Sequence, residues 1–251
     1  MYPYAPYWLI VASPVVLVAL LSAWPRFRRG YWRDAGGWLP GLLVGGALLA
    51  VDGVVSAAAG FWRFTDERFA PERYLNLPAP EWLFFVAAMA GVRLLWYLTG
   101  LGWADGPVRR PGAVFAGWAV LLTVSLAFGL SHADRARTVY VFALGVPLVL
   151  ILAMASRTFW YRSTQAYLGL GFVLFLPMDT LMNALGSFDH DEATRSGVEL
   201  PYGVPVEDLA YMLIVLTMLR FLADLRRPGH DPFPWSGGVS RDGSERSHHG
   251  S

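Results

Sequence analysis

The sequence holds no cysteine and no lysine. Without thiols there are no disulfides, thiolate metal sites or cysteine nucleophile, and the redox compartment stays open. Without lysine, all 20 basic residues are arginine, and a Schiff base to retinal or any other aldehyde is excluded. Charge is sparse as well. Only 16% of the 251 residues are charged and the net charge is +1, so no basic surface for nucleic acid is expected.

What fills the sequence instead is apolar. Hydrophobic residues make up 55% of it and the mean hydropathy is +0.41, which places the chain among membrane proteins. A bilayer core needs about 20 mostly apolar residues per helix. Such runs begin near Tyr7, Leu39, Trp82, Ala113, Thr138, Ala166 and Val206. The expectation is therefore an all-α integral membrane protein with seven transmembrane helices. The first run differs from a cleaved leader, because no basic residue precedes it and "RFRRGYWR" (26–33) follows it. The stretch 227–251 is rich in Gly, Pro, Ser and His and reads as a disordered cytoplasmic tail.

Arginine placement sets the expected orientation. Arg26, Arg28, Arg29, Arg33, Arg109, Arg110, Arg157, Arg162, Arg226 and Arg227 fall at one end of the helices. Arg63, Arg68, Arg73, Arg135, Arg137 and Arg195 fall at the other. The richer end is read as cytoplasmic, giving a multi-pass cell-membrane protein with its N-terminus outside and its C-terminus in the cytoplasm.

The chain also repeats itself. A shift of 127 positions carries Asp52 onto Asp179, Ser56 onto Asn183, Arg68 onto Arg195 and Glu72 onto Glu199. The same shift carries Pro78 onto Pro205, Glu81 onto Asp208, Phe84 onto Tyr211 and Arg93 onto Arg220. "YWLIVASP" (7–14) and "YVFALGVP" (140–147) share a Tyr and a Pro seven apart. The match from Asp52 to Arg93 reads without a gap, and duplication accounts for it. The domains read as a three-helix repeat (1–104), a linker helix (105–133) and a second three-helix repeat (134–226). One linker helix makes the two repeats run parallel, related by an axis along the membrane normal.

The candidate site follows from the acids. Asp52 and Asp179 sit inside apolar runs, "LLAVDGVV" and "LFLPMDTLM". A carboxylate at that depth is expensive and marks function by default. Glu81, Glu207 and Asp208 lie in first helical turns after proline, where acids also serve the ordinary role of complementing the helix dipole. Phe84, Phe85 and Tyr211 lie within a turn of the acids, and Asn183 one turn after Asp179. Carboxyls crowded away from water cannot all ionise together, so such a cluster carries an exchangeable proton. Aromatic faces beside it stabilise a cation. Together they suit protonation of an alkene. Arg93 and Arg220, one helix length away, read as snorkelling side chains.

"GFWRF" (60–64), "LPAPEWLFF" (77–85), "DRARTVY" (134–140) and "VPVEDLAYM" (204–212) resemble the small integral-membrane lycopene cyclases, in the fused single-chain form. Each half of that family carries a Pro-x-Glu-Glu or Pro-x-Glu-Asp motif. Here the second is intact as Pro205, Val206, Glu207, Asp208. The first reads Pro78, Ala79, Pro80, Glu81, with proline in place of one glutamate. The resemblance implies ring closure of lycopene dissolved in the bilayer, with no redox cofactor and no metal. A carboxylic acid protonates the terminal C1=C2 bond of a ψ end group, C5=C6 attacks the tertiary cation, and loss of a ring proton gives an ionone ring. Glu207, Asp208, Glu81, Asp52 and Asp179 are then the catalytic candidates. Phe84, Phe85, Tyr211 and Asn183 would line the substrate and steady the cation. Partners beyond the carotenoid and the bilayer would be a second copy of the chain or other carotenoid-pathway enzymes.

No G-x-G-x-x-G joins a strand to a helix, so a flavin-dependent cyclase lacks support. A proton-coupled transporter remains a rival, since paired repeats with acids at mid-depth describe it too. A cyclase acting on longer C50 carotenoids and a carotenoid hydratase share the same first cation.

Overall fold

The computed structural model describes residues 5–64, 73–102, 106–184 and 188–225. The stretch 227–251, with Arg68, Glu72, Arg226 and Arg227, lies outside the described residues. Helix α1 (Ala5–Ser22) leads into the short α2 (Pro25–Tyr31), and α3 (Ala35–Ala58), α4 (Ala79–Gly102) and α5 (Pro111–Ser131) follow. The next helix is composite. It begins as α6 (Ala136–Thr138), runs through a π-helical stretch (Val139–Gly145) and ends as α7 (Val146–Met154). Helices α8 (Arg162–Ala184) and α9 (Val206–Leu225) complete the bundle.

Among the described residues, α3, α4, α5, the α6–α7 helix and α8 are five helices long and apolar enough to cross a membrane. A sixth crossing arises if α1 and α2, bent by 120°, count together. The protein is a multi-pass membrane protein. Proline explains several local features. Pro25 and Pro111 start α2 and α5, where a missing N–H costs nothing. Pro14, Pro40 and Pro177 lie inside α1, α3 and α8, which apolar packing tolerates in membrane helices.

Three short β-pairs sit at the acid-bearing end. β1 (Trp62–Phe64) pairs antiparallel with β4 (Phe188–His190), joining the two halves with Phe64 opposite Phe188. Equivalent strands meeting in this way are what a two-fold relation produces. β2 (Arg73–Tyr74) and β3 (Leu77–Pro78) form a hairpin just before α4. β5 (Glu199–Leu200) and β6 (Val204–Pro205) form its counterpart before α9.

The hairpins correct the ungapped repeat. Tyr74 pairs with Leu77 across a two-residue turn, Leu75 and Asn76, both with positive φ (50° and 67°) as a tight hairpin of this type requires. Leu200 pairs with Val204 across three residues, with Tyr202 and Gly203 at φ 68° and 74°. The second turn has one more residue. Glu199 therefore occupies the place of Arg73 in the strand pairing, and the shift of 127 holds only after the turn and along the helices.

Helix packing repeats as the sequence does. α1 packs on α4 as the α6–α7 helix packs on α9, and α3 packs on α9 as α8 packs on α4. α5 lies against the α6–α7 helix alone of the two halves' first helices. The α3–α9 contact is the closer of its pair. A Cβ on Gly41 would fall 2.0 Å from the Leu222 carbonyl, and one on Gly45 would fall 2.5 Å from Leu219 Cδ2. Small residues allow such an approach in membranes. The matching positions of α8 hold Leu168 and Phe172.

The expectation that Arg93 and Arg220 snorkel is overturned. Both are 6% exposed. The Arg93 guanidinium lies 4.7 Å from the Trp38 ring and 4.9 Å from Trp96, and its Nη2 donates to the Tyr31 carbonyl at 2.6 Å. Arg220 sits 3.7 Å over Trp96 and pairs with buried Asp224. Aromatic faces and a partner carboxylate on neighbouring turns replace the water that snorkelling would have sought.

Candidate active site

Helices α3 and α8 carry Asp52 and Asp179 toward one end of the bundle, and the hairpins deliver the first turns of α4 and α9 to the same place. Glu81 (6% exposed), Asp179 (7%) and Asp208 (9%) are buried there, and Glu207 is fully buried. Glu81, Asp179 and Asp208 line one cleft, of about 660 Å³, together with Gly53, Phe84, Phe85, Phe175, Met178, Met182 and Tyr211. Three carboxyls thus face a chamber that is otherwise aromatic and thioether. Gly53 has a specific reason: a Cβ there would meet Phe85 Cζ at 2.8 Å, so glycine lets that ring lie against α3.

The five acids are held in different ways. Asp208 forms a buried ion pair with Arg137, itself only 1% exposed. The Arg137 Nη1 also donates to the Phe61 carbonyl at 3.3 Å, and its backbone N–H bonds the Thr194 carbonyl at 2.9 Å. This ties the start of α6 to both loops. Glu207 stands outside the cleft lining. Its Oε1 accepts from Thr138 Oγ1 at 2.6 Å and from the Ser196 backbone N–H at 2.7 Å. Asp52 accepts from Tyr211 Oη at 2.6 Å on one oxygen and from Tyr140 Oη on the other. Asp179 Oδ2, by contrast, is buried with no hydrogen-bond partner among the described residues.

The structure therefore brings together Glu81, Asp179, Asp208, Phe84, Phe85 and Tyr211 of the sequence candidates. Asp52 joins through its tyrosines. Glu207 and Asn183 are not among the lining residues; the Asn183 amide donates to the Asp179 main-chain carbonyl at 3.1 Å. Glu207 and Asp208 each have a separate polar partner, which differs from two acids sharing one proton.

Arg137, Thr138 and Tyr140 were missed as individuals. Their signal was present, since all three lie in "DRARTVY", and Tyr140 shares its seven-residue spacing to proline with Tyr7. In the first half Ala5 stands where Thr138 does under the shift of that spacing, and Pro80 stands where Glu207 does. The acid and its hydroxyl partner are lost together. That explains Pro80 without invoking a lost catalytic group. Among the described residues, no group of three or more His, Asp or Glu is placed to hold a metal ion.

A family model described as lycopene cyclase matches residues 4–97 and 134–225, the two halves related by the repeat, and leaves out α5. No curated protein and no solved structure matches the chain. Both matched regions carry their acid to the shared cleft, Glu81 from the first and Asp179 and Asp208 from the second, and the chain belongs to the lycopene cyclase family.

Proposed function

We propose that this chain closes ionone rings on a membrane-dissolved carotenoid, lycopene, by protonating a ψ end group in the acid cleft, with no redox step. The observation that carries the reading is Asp179, whose Oδ2 is buried without a partner among the described residues in a cleft walled by aromatic rings. An unpaired ionised carboxylate is far costlier to bury than its neutral acid, so Asp179 is the group that delivers the proton. C2 of the substrate takes that proton, and the cation forms at C1. The C5=C6 electrons then make the C1–C6 bond, moving the cation to C5. Phe84, Phe85 and Tyr211 present their faces to it.

Loss of a ring proton to Glu81 completes an isomerisation in which no atom is gained or lost overall. Asp208, neutralised by Arg137, fixes the field of the cleft without adding net charge. Between turnovers Glu81 releases its proton to solvent and Asp179 takes one up from solvent. The enzyme class is that of an intramolecular lyase, an isomerase by overall reaction.

The same reading makes α9 a seventh crossing. Its 20 residues span about 30 Å at 1.5 Å per residue, the thickness of a bilayer core. Its charged side chains Glu207, Asp208, Arg220 and Asp224 are all buried, so they meet protein and not lipid. The chain is then two parallel three-helix repeats (1–104 and 134–226) joined by a linker helix (105–133).

The test is purified protein in detergent with lycopene, without flavin, nicotinamide or metal, run in D2O. Ring formation with one non-exchangeable deuterium gained per ring supports the reading. Ring formation without deuterium, or only with reduced flavin, overturns the mechanism. No ring formation, with proton flux in vesicles instead, favours the transporter.

A further inference from the structure

We infer that the polyene arm of the substrate lies in the lateral groove between α1, α4, α8 and α9, so that one chain cyclises one end group per binding event. This rests on the cleft described above being where ring closure occurs. The groove, about 1330 Å³ counting the space open to its surroundings, shares Phe84, Phe175, Met178 and Met182 with the acid cleft, so one space continues into the other. It follows α4 from Phe84 to Leu95. Measured from Glu81, that is 14 residues, or about 21 Å along the helix. The lining is apolar throughout apart from Ser13, whose hydroxyl bonds the Ile10 carbonyl at 2.8 Å. Leu17 and Leu174, which line it, are 46% and 53% exposed, so the groove opens sideways to lipid.

The duplication makes this asymmetry informative. On α4 the groove is floored by Ala87, Ala88 and Gly91. The matching positions on α9 hold Ile214, Val215 and Met218. Ile214 fills the corresponding space, because a Cβ on Gly145 would meet its Cδ1 at 2.5 Å. The other boundary differs as well. Glycines close α3 onto α9, whereas the matching positions of α8 hold Leu168 and Phe172 and the α4–α8 contact is the less extensive of the two. A second apolar groove, lined by Phe142, Val146, Phe172 and Leu213, shares no lining residue with the acid cleft, so among the described residues it is the groove along α4 that continues into the acids. Aligned with it is Asp179 of α8, whose Oδ2 has no hydrogen-bond partner among the described residues.

Gly91 is then a specificity-determining position. A Cβ there would meet only Pro14 side-chain atoms at 3.6 Å and 3.9 Å, an ordinary contact, so a larger side chain is admitted locally and must project into the groove. The experiment compares wild type, Gly91→Ala, Gly91→Met and Asp179→Asn in detergent. The substrates are lycopene and a truncated carotenoid that keeps the ψ end but stops short of Gly91. Gly91→Met is expected to lower kcat/KM for lycopene more than tenfold through KM, to leave the truncated substrate unchanged, and to match wild type in size-exclusion profile. Gly91→Ala should stay within threefold of wild type. With excess lycopene, monocyclic product should be released before bicyclic product accumulates.

If Gly91→Met turns over lycopene as wild type does while Asp179→Asn is inactive, the groove is overturned and the acid cleft stands. Equal loss on both substrates also overturns it. Bicyclic product from the first turnover, with no free monocyclic carotenoid, overturns the single-ended binding. A wild type that cyclises neither substrate sinks the groove together with the cyclase reading.

Discussion

Tyr211 gives its hydroxyl to Asp52 at 2.6 Å, while its repeat counterpart Phe84 has no hydroxyl to give Asp179. One aspartate of the pair is thus held by tyrosines from the other half of the molecule, and its twin keeps an oxygen with no partner among the described residues. The repeat supplies two equivalent carboxyls, and the hydroxyl that Tyr211 has and Phe84 lacks is one difference between their environments.

That difference predicts unequal mutants. Asp179→Asn should lower ring formation by about 10²–10⁴, the range of a positioned acid. Asp52→Asn should cost less, because an amide oxygen still accepts one of the two tyrosine hydroxyls. Phe84→Tyr is the sharper probe. It supplies Asp179 with the bond that Asp52 enjoys, worth about 0.5–1.5 kcal/mol, and should slow turnover by about two- to tenfold with the protein fully folded. Product quantified in a lycopene-accumulating bacterial host reads all three. Faster turnover in Phe84→Tyr would refute the assignment of Asp179 as the acid.

Glu207 should behave as a tether. Gln at this position keeps the oxygen that receives Thr138 and Ser196, so Glu207→Gln should retain most of the activity. Glu207→Ala leaves both donors unpaired in a buried place, at about 1–3 kcal/mol each, and should lower the thermal midpoint of detergent-purified protein. The family resemblance made Glu207 a catalytic candidate, and in that role its amide would abolish ring closure. An inactive Glu207→Gln of unchanged stability would restore that earlier role.

Asp52 and Asp179 were legible because a carboxyl deep in an apolar run has few innocent explanations, whereas Glu81 and Asp208, in first helical turns, were drawn in only as their companions. The repeat made them a set. Arg137 and Tyr140 were not, since an arginine or tyrosine near a helix start is ordinary at a membrane boundary. Only packing shows that Arg137 turns inward to Asp208. Arg93 was misread for the same reason: its aromatic cradle draws Trp96 from its own helix but Trp38 and Tyr31 from elsewhere. The additional residue at Pro201–Gly203 was hidden because identical residue types, Glu72 and Glu199, match across the wrong register.

Orientation gives the last prediction, and the structure strengthens its basis. The arginines number ten at one end and six at the other, and the positive-inside effect acts through loop residues near the membrane. At the acid end, Arg137 is buried in an ion pair, Arg195 bonds Glu199 at 2.6 Å, and Arg73 donates to the Phe64 carbonyl at 3.1 Å. Those arginines serve the fold. At the opposite end Arg28, Arg29, Arg33, Arg109 and Arg110 include few such commitments, and Arg33 is 81% exposed. We therefore expect the acid end outside and the arginine end in the cytoplasm. The absence of native cysteine allows a clean measurement with single substitutions. Tyr202→Cys, at a position 78% exposed in the second hairpin turn, should react with a membrane-impermeant maleimide on intact cells. Arg110→Cys should react only after permeabilisation. The opposite pattern would invert the bundle in the membrane and place the acid cleft at the inner leaflet, leaving the cleft chemistry as it is.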